Sequence, residues 1–232
     1  MKKILTLAAV LVAALAMNAA PTMWNVADWD LSSVTKVGDS ITSTITVNGL
    51  QVLATDARNS KGKLAEYVMI DGNSKTWKSA DESETISFSK RVKTGGKSTA
   101  TGRQIVVPIT KGATIEVWAC AGGDGERPVV IGDVQWDGSA EGLSSFTPEK
   151  STLGYHSYVY NGESDKLYIW GSENGINIYG IRVTPAAATN IDNTAVEGKV
   201  VKTFENGQLV VIKNGVKYNA TGSVIQIGRA HV

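Results

Sequence analysis

Six tryptophans and seven tyrosines stand against only three phenylalanines in this 232-residue chain, and that bias points to a chemistry. Indole and phenol rings join a flat apolar face to a polar edge. A pyranose ring offers its face of C–H groups to such a surface, and its hydroxyls take hydrogen bonds from planar polar groups nearby. Trp136 stands in Gln135-Trp136-Asp137-Gly138, where a turn presents it to solvent, and Trp77 stands in the polar stretch Lys75-Thr76-Trp77-Lys78-Ser79, read as a loop. These two are the foremost stacking candidates. In Lys166-Leu167-Tyr168-Ile169-Trp170, period-2 alternation puts Leu167 and Ile169 on one face and Tyr168 and Trp170 on the other. Both faces are apolar, so the strand is central in a sheet or lines a binding surface, and Trp170 is a further candidate. Tyr155, Tyr158 and Tyr160 make an aromatic strand in which His156, Tyr158 and Tyr160 share a face. That face is a sugar platform or a half-buried side of a sheet. Trp118 lies within a strand, as core or face, and Trp24 and Trp29 are expected to tie down the first strand.

Other residue types add weaker suggestions. Arg91 and Arg103 have forked donors that suit the carboxylate of an acidic sugar such as galacturonate, or a cross-strand ion pair. Asp28 and Asp30 flank Trp29, and Asp71, Asp133 and Asp137 sit near turns. Oxygen ligands of this kind hold structural calcium, so Asp28, Asp30, Asp133 and Asp137 are the calcium candidates, although no EF-hand spacing is present. No other cofactor is implied. Once the two ends of the chain are set aside, His156 is the only histidine. Metal sites built on several histidines are thereby excluded, and a Ser-His-Asp triad has no nucleophile motif around any serine. A glycosidase needs only two carboxylates at the right separation, and acidic residues are scattered along the chain. The lone Cys120 can form no internal disulfide and reads as a buried structural thiol.

The elements that position these residues read as short strands rich in Val, Ile, Thr, Tyr and Trp. Expected strands are 42–47, 50–55, 67–70, 85–93, 103–109, 114–121, 128–131, 155–161, 166–171 and 176–184. Turn signals part them: Asn48-Gly49, Asp71-Gly72-Asn73, Gly95-Gly96, Lys111-Gly112, Asp124-Gly125, Asp137-Gly138, Asn161-Gly162 and Asn174-Gly175. No amphipathic helix stands out. The pattern predicts an all-β protein, a jelly-roll-like antiparallel β-sandwich over 24–184. A proline-led, small and polar linker, 185–193, precedes a segment over 194–226 with strands 199–203, 208–213 and 216–219 joined at Asn206-Gly207 and Asn214-Gly215. Such a three-stranded β-meander is marginal alone.

Both ends read as foreign to the fold. Lys2 and Lys3 precede an apolar run, Ile4 to Ala16, too short to span a bilayer comfortably, and Ala14-Leu15-Ala16 fits small-x-small cleavage. Residues 1–20 are therefore expected to be a secretory signal peptide, which makes the protein extracellular or displayed on the outer cell surface. Ile227-Gly228-Arg229-Ala230-His231-Val232 resembles a translated sequencing adapter, with the natural chain running on past Gln226. The formal charge is +1, and without the three cations Lys2, Lys3 and Arg229 it becomes −2. No clustered basic run suggests nucleic acid or an acidic membrane, and no later segment is apolar enough for a transmembrane helix.

Two stretches carry a family resemblance. The run from Val200 to Gly222, with Gly207, Gln208, Ile212, Asn214, Gly215, Tyr218, Asn219 and Gly222 in matching places, resembles the C-terminal domain of Bacteroidetes proteins exported by the type IX secretion system. The resemblance implies secretion machinery as a partner for this sorting or anchoring segment. Similar tails also occur as plain surface hairpins. The first domain resembles β-sandwich modules attached to pectate lyases and pectin esterases of Bacteroidetes. It does so through Val47-Asn48-Gly49-Leu50, Met69 to Lys75, Phe88 to Gly96 and, most of all, Asn174 to Val183. That resemblance implies a non-catalytic accessory module that holds polysaccharide and does not specify the sugar; the expected ligand is plant or host polysaccharide, with pectin-type among the candidates. Pectate lyases themselves are long β-helices whose repeat this chain lacks. Two alternatives stay open: a structural or adhesion sandwich with no sugar ligand, and a small polysaccharide lyase or glycoside hydrolase.

Overall fold

The computed structural model describes residues 20–187, 200–205, 208–213, 216–220 and 222–225. One compact unit is Met17–Ala187, and the described C-terminal strands fall in a second. In the first, fourteen strands follow in order: β1 Thr22–Asn25, β2 Lys36–Val37, β3 Ser40–Ile41, β4 Ile45–Val47, β5 Leu50–Leu53, β6 Met69–Lys78, β7 Thr85–Lys93, β8 Gln104–Pro108, β9 Thr114–Ala121, β10 Val129–Gly132, β11 Ser144–Phe146, β12 Gly154–Val159, β13 Lys166–Gly171 and β14 Ile176–Thr184. The front sheet has the order β12-β9-β14-β7-β6, with β1 also on β14, and the back sheet has the order β11-β10-β13-β8-β5-β4. β14 shares one edge between two partners: Asn177 and Ile178 pair with β7, whereas Gly180 to Val183 pair with β1. Pairing is antiparallel in both sheets. From β8 onward the chain passes from sheet to sheet, back, front, back, front, back, front, which is jelly-roll-like winding.

Alternation within the strands builds the core between the sheets. Ile115, Val117 and Ala119 of β9 and Ile178, Ile181 and Val183 of β14 meet Ile105, Val107, Val129, Ile131, Leu167 and Ile169 of the back sheet. Trp24 and Trp29 are buried in this core, and Trp24 donates its indole N–H to the Val47 carbonyl at 2.9 Å, pinning β1 to the opposite sheet. Asn48-Gly49 makes the expected tight turn between β4 and β5, with φ of 46° and 84°.

Several elements differ from the expectation. Asp71-Gly72-Asn73 is a bulge and not a turn. Gly72 faces Lys90 and Lys75 faces Phe88, so one extra residue is absorbed and β6 runs on to Lys78. The nine-residue partner β7 supplies the ladder that holds this polar stretch extended. Trp77 therefore stands on a strand and not in a loop. The small β2–β3 hairpin and β11 lie outside the expected strands, because two or three residues with little apolar content give no period to read, and the four-residue β1 carries Trp24 into the core from ahead of the first expected strand. One 3-10 turn, Val26–Asp28, is capped by Asn25, whose Oδ1 accepts from the Ala27 N–H at 3.1 Å. No helix among the described residues is long and apolar enough to cross a membrane.

In the second unit, β15 Val200–Glu205, β16 Gln208–Lys213 and β17 Val216–Asn219 form the expected antiparallel meander. The expected signal peptide up to residue 19, the expected linker beyond Ala187, the expected turns at 206–207 and 214–215 and the stretch from 226 lie outside the described residues.

Behind β9 the backbone of Gly122 runs against Gly175, whose carbonyl accepts from the Gly122 N–H at 2.9 Å. A Cβ on Gly122 would meet that oxygen at 2.4 Å. Gly122→Ala is expected to destabilise the sandwich by about 2 kcal/mol through forced backbone movement. Urea denaturation checks this as a lower midpoint at unchanged slope.

Candidate functional site

The front sheet is apolar on its outward face as well as its inward one. Strand alternation turns Glu116, Trp118 and Cys120 of β9 outward. On β14 a bulge at Tyr179 (Ile178 faces Ala119, Gly180 faces Trp118) shifts the register by one. Ile178 and Ile181, three residues apart, can then both point into the core, while Tyr179 and Arg182 point out. Phe88, Trp118, Cys120 and Tyr179 form a buried floor, with Met23, Trp77, Ile86 and Leu153 packed on it. Cys120 is the buried thiol expected; its Sγ donates to the Thr152 carbonyl at 3.4 Å, and burial pushes its pKa up.

Two rings sit over that floor and reach solvent. Trp77 and Tyr155 lie 4.8 Å apart at a 33° tilt, and each is 5.4 Å from Trp118, which is fully buried beneath them. Tyr155 is 39% exposed and Trp77 is half-buried. An ion-pair network fixes Tyr155, and Trp77 rests on Trp118 and on Tyr155 itself. Arg182 stands opposite Glu116 across the β14–β9 ladder and holds both of its carboxylate oxygens, through Nε and through Nη2 at 2.8 Å. Its Nη1 reaches Glu84 at 2.5 Å, and its guanidinium lies 5.3 Å from the Trp118 ring centre. The Tyr155 hydroxyl donates to Glu116 Oε1 at 2.7 Å. Burial opposes ionisation of Glu116, but the hydrogen bonds from Arg182 and Tyr155 outweigh it and hold the carboxyl below its ordinary range.

The other end of the same face is polar. The outward row of β6 continues from Trp77 to Lys75 and Asn73. Asn73 lies in the bulge and accepts from the Tyr179 hydroxyl at 2.5 Å, and burial pushes that phenol up to about 12. Arg91 grips Asp71 with Nε at 2.7 Å and Nη2 at 3.3 Å, and Lys93 meets the same carboxylate at 3.2 Å. These bonds keep Asp71 below the usual carboxylate range. Asn73, Lys75, Arg91, Lys93, Lys150 and Asn177 border an open hollow of about 270 Å³. Two larger hollows, of about 420 Å³ and 440 Å³, lie elsewhere on the unit, and none of the three is lined by an aromatic side chain.

Trp136 lies elsewhere, on the outward side of the back sheet. It stacks on Trp170 at 5.7 Å and 23°, and the Lys97 ammonium sits 5.5 Å from its ring centre. Gln104 fastens this loop, donating to the Trp136 carbonyl at 2.9 Å and accepting from its N–H at 3.0 Å. Trp170 is 1% exposed and Tyr160 is sealed completely, so neither has a ring face to offer a sugar. The Tyr160 hydroxyl instead accepts from the Ser164 N–H at 2.7 Å. Tyr158 packs against the inner core. The aromatic strand β12 thus turns Tyr158 inward and Tyr155 out. Arg103 spans the 97–103 loop, bonding the carbonyls of Tyr67 and Lys97 with its backbone at φ 62°, and stands apart from Arg91.

The calcium candidates are not brought together. Asp30 accepts from the Ser32 N–H and Asp137 from those of Ser139 and Ala140, while Asp133 faces the Tyr160 hydroxyl and Asp28 sits in the 3-10 turn. Among the described residues no three His, Cys, Asp or Glu side chains gather as a metal site. His156 bonds Ser144 Oγ at 2.7 Å and stacks on Phe146. Among the described residues no carboxylate joins this pair, which therefore lacks the third group of a triad. Among the described residues the carboxyls with shifted acidity are pushed down, by hydrogen bonds from their neighbours.

Sequence reasoning had weighed Trp77 and Arg91 but missed Tyr155, Glu116, Arg182, Asn73 and Lys75. The lone arginine in the apolar run Ile176–Thr184 and the lone glutamate in Thr114–Ala121 were the available signal.

No protein-family model and no curated protein matches the chain. Among solved structures, it is similar to a family 6 carbohydrate-binding module of Cellvibrio mixtus lichenase 5A in complex with cellotriose. Identity there is 15% over 51% of this chain and 90% of that one, with a TM-score of 0.29. It is also similar to the CBM22-1 xylan-binding domain of Paenibacillus barcinonensis Xyn10C, at 13% over 57% and 92%, TM-score 0.31. A third is an exo-β-1,3-galactanase of Phanerochaete chrysosporium with galactose, at 12% over 71% and 29%, TM-score 0.29.

Glu116→Ala is expected to cost about 2 kcal/mol, because Arg182 keeps Glu84 but loses its buried partner. The fold lowers the Glu116 pKa, so its contribution is complete above the ordinary carboxylate value and is lost as pH falls through the folded one. Denaturation midpoints of wild type and Glu116→Gln, followed downward from neutral pH, are expected to converge in acid.

Proposed function

We propose that the Met17–Ala187 unit is a non-catalytic polysaccharide-binding module whose contact surface is the outward face of the front sheet. The observation that carries this reading is the Trp77–Tyr155 pair, tilted together over a buried aromatic floor, with Tyr155 held by the Glu116–Arg182 network. A pyranose laid on these rings covers apolar area that the fold leaves open. Asn73, Lys75 and Arg91 then lie within the same face to meet its hydroxyls.

The rest of the chain fits a secreted module in this reading. Residues 1–20 direct export and are removed, 24–184 bind plant or host polysaccharide, and 185–193 act as a linker. The segment 194–226 engages the secretion machinery as a sorting or anchoring element, which leaves the module outside the cell or on its surface. Residues 227–232 are foreign to the natural chain.

Retention on insoluble polysaccharides tests the central part. Trp77→Ala and Tyr155→Ala are each expected to weaken binding about tenfold or more, equivalent to about 1.4 kcal/mol. Trp136→Ala, on the opposite side of the sandwich, is expected to leave binding unchanged. Melting temperatures measured in parallel separate lost contact from lost fold. A wild-type protein retained on no polysaccharide sinks the proposal and favours a structural or adhesion sandwich. New reducing ends or unsaturated products would instead make it an enzyme.

A further inference from the structure

We infer that the hollow beside the aromatic pair seats an anionic group of the glycan, a uronic acid carboxylate or a sulfate ester, so that the module selects acidic polysaccharide. The inference rests on the binding surface proposed above and adds its ligand class.

Four cationic side chains, Lys75, Arg91, Lys93 and Lys150, border this one hollow. Two carboxylates accompany them: Asp71, held by Arg91 and Lys93, and Asp124, held by Lys150 at 3.1 Å. Cations therefore outnumber anions locally in a chain whose formal charge is only +1. The two pairings differ in how easily a ligand can replace them. Asp71 is gripped by the Arg91 fork with the arginine side chain only 18% exposed. The Lys150–Asp124 pair is open to water on both sides, at 57% and 91% exposure, and an exposed pair of that kind contributes little. A ligand anion can take Lys150 from Asp124 at small cost.

The neighbouring groups suit an anion too. With Oδ1 engaged by Tyr179, Asn73 has its amide N–H groups left to donate. Lys75 donates to the Ser151 carbonyl at 2.5 Å and, as an ammonium, has further donors to give. Lys75 and Trp77 are two residues apart on one face of β6, on the order of 7 Å along the strand. A sugar ring stacked on Trp77 thus brings a substituent on itself or on its neighbour to the Lys75 side. Rings supply affinity for any pyranose, and the hollow adds the preference for charge.

The test uses the full chain in affinity electrophoresis and calorimetry against polygalacturonate, its methyl ester, dextran sulfate and neutral xylan. Polygalacturonate or dextran sulfate is expected to bind about tenfold tighter than the uncharged polymers, and the margin is expected to shrink as salt rises from about 0.05 M to 0.5 M. Whichever anionic polymer holds the margin identifies carboxylate or sulfate as the group seated. The double variant Lys75→Gln/Lys150→Gln is expected to lose binding to that polymer about tenfold more than to methyl-esterified pectin. Equal binding of charged and uncharged polymers, still sensitive to Trp77→Ala, overturns the inference and leaves the binding surface standing. So does a charge preference that the double variant retains. Failure to bind any of the polymers overturns both.

Discussion

Arg182 and Glu116 face one another across the front sheet, and the placement of Tyr155 over the buried Trp118 follows from that pair. The guanidinium holds both carboxylate oxygens, reaches Glu84 and lies over Trp118. The carboxylate in turn anchors the Tyr155 hydroxyl. Such a pair is costly to desolvate, and here the cost is offset by hydrogen bonds to both carboxylate oxygens and by the guanidinium lying over an indole. The result is a tyrosine that stays beside Trp77 with part of its ring in water.

Two bulges make this arrangement compatible with a packed core. The one at Tyr179 lets Ile178 and Ile181 both face inward while Tyr179 and Arg182 face outward. The one near Asn73 lies in hydrogen-bond reach of Tyr179 itself. The strands therefore carry an apolar inner face and an aromatic outer one, and the ladder resumes on either side of each bulge. A sheet that is apolar on both sides, with a second sheet on only one of them, must cover its other face with its own side chains. Trp77, Tyr155 and Leu153 do that, and the covering rings are those left to meet a ligand.

Much of the fold was legible because period-2 alternation is strong where a strand is central. Thr114–Ala121, Lys166–Gly171 and Ile176–Thr184 have the limits that their apolar residues suggest. Ser144–Phe146 holds one large apolar residue and was invisible. Asp71-Gly72-Asn73 carries turn chemistry but is held extended by β7, a case of tertiary pairing overriding local preference. The site was harder to read. Alternation says that Tyr155 and Tyr158 take opposite faces, but it does not say which face is covered by the second sheet. Likewise Trp136 and Trp77 are alike as sequence, yet the first is stacked on Trp170 and the second stands beside an exposed tyrosine.

The account stands on one surface, the tilted Trp77–Tyr155 pair, being where carbohydrate touches the protein. Indole N–H resonances of the full chain, followed by NMR during titration with oligogalacturonides and with neutral xylo-oligosaccharides, address it directly. The account predicts saturable shifts of the Trp77 signal while that of Trp136 stays in place. Movement of Trp136 alone, or of no indole at ligand concentrations where binding is measured, would contradict it.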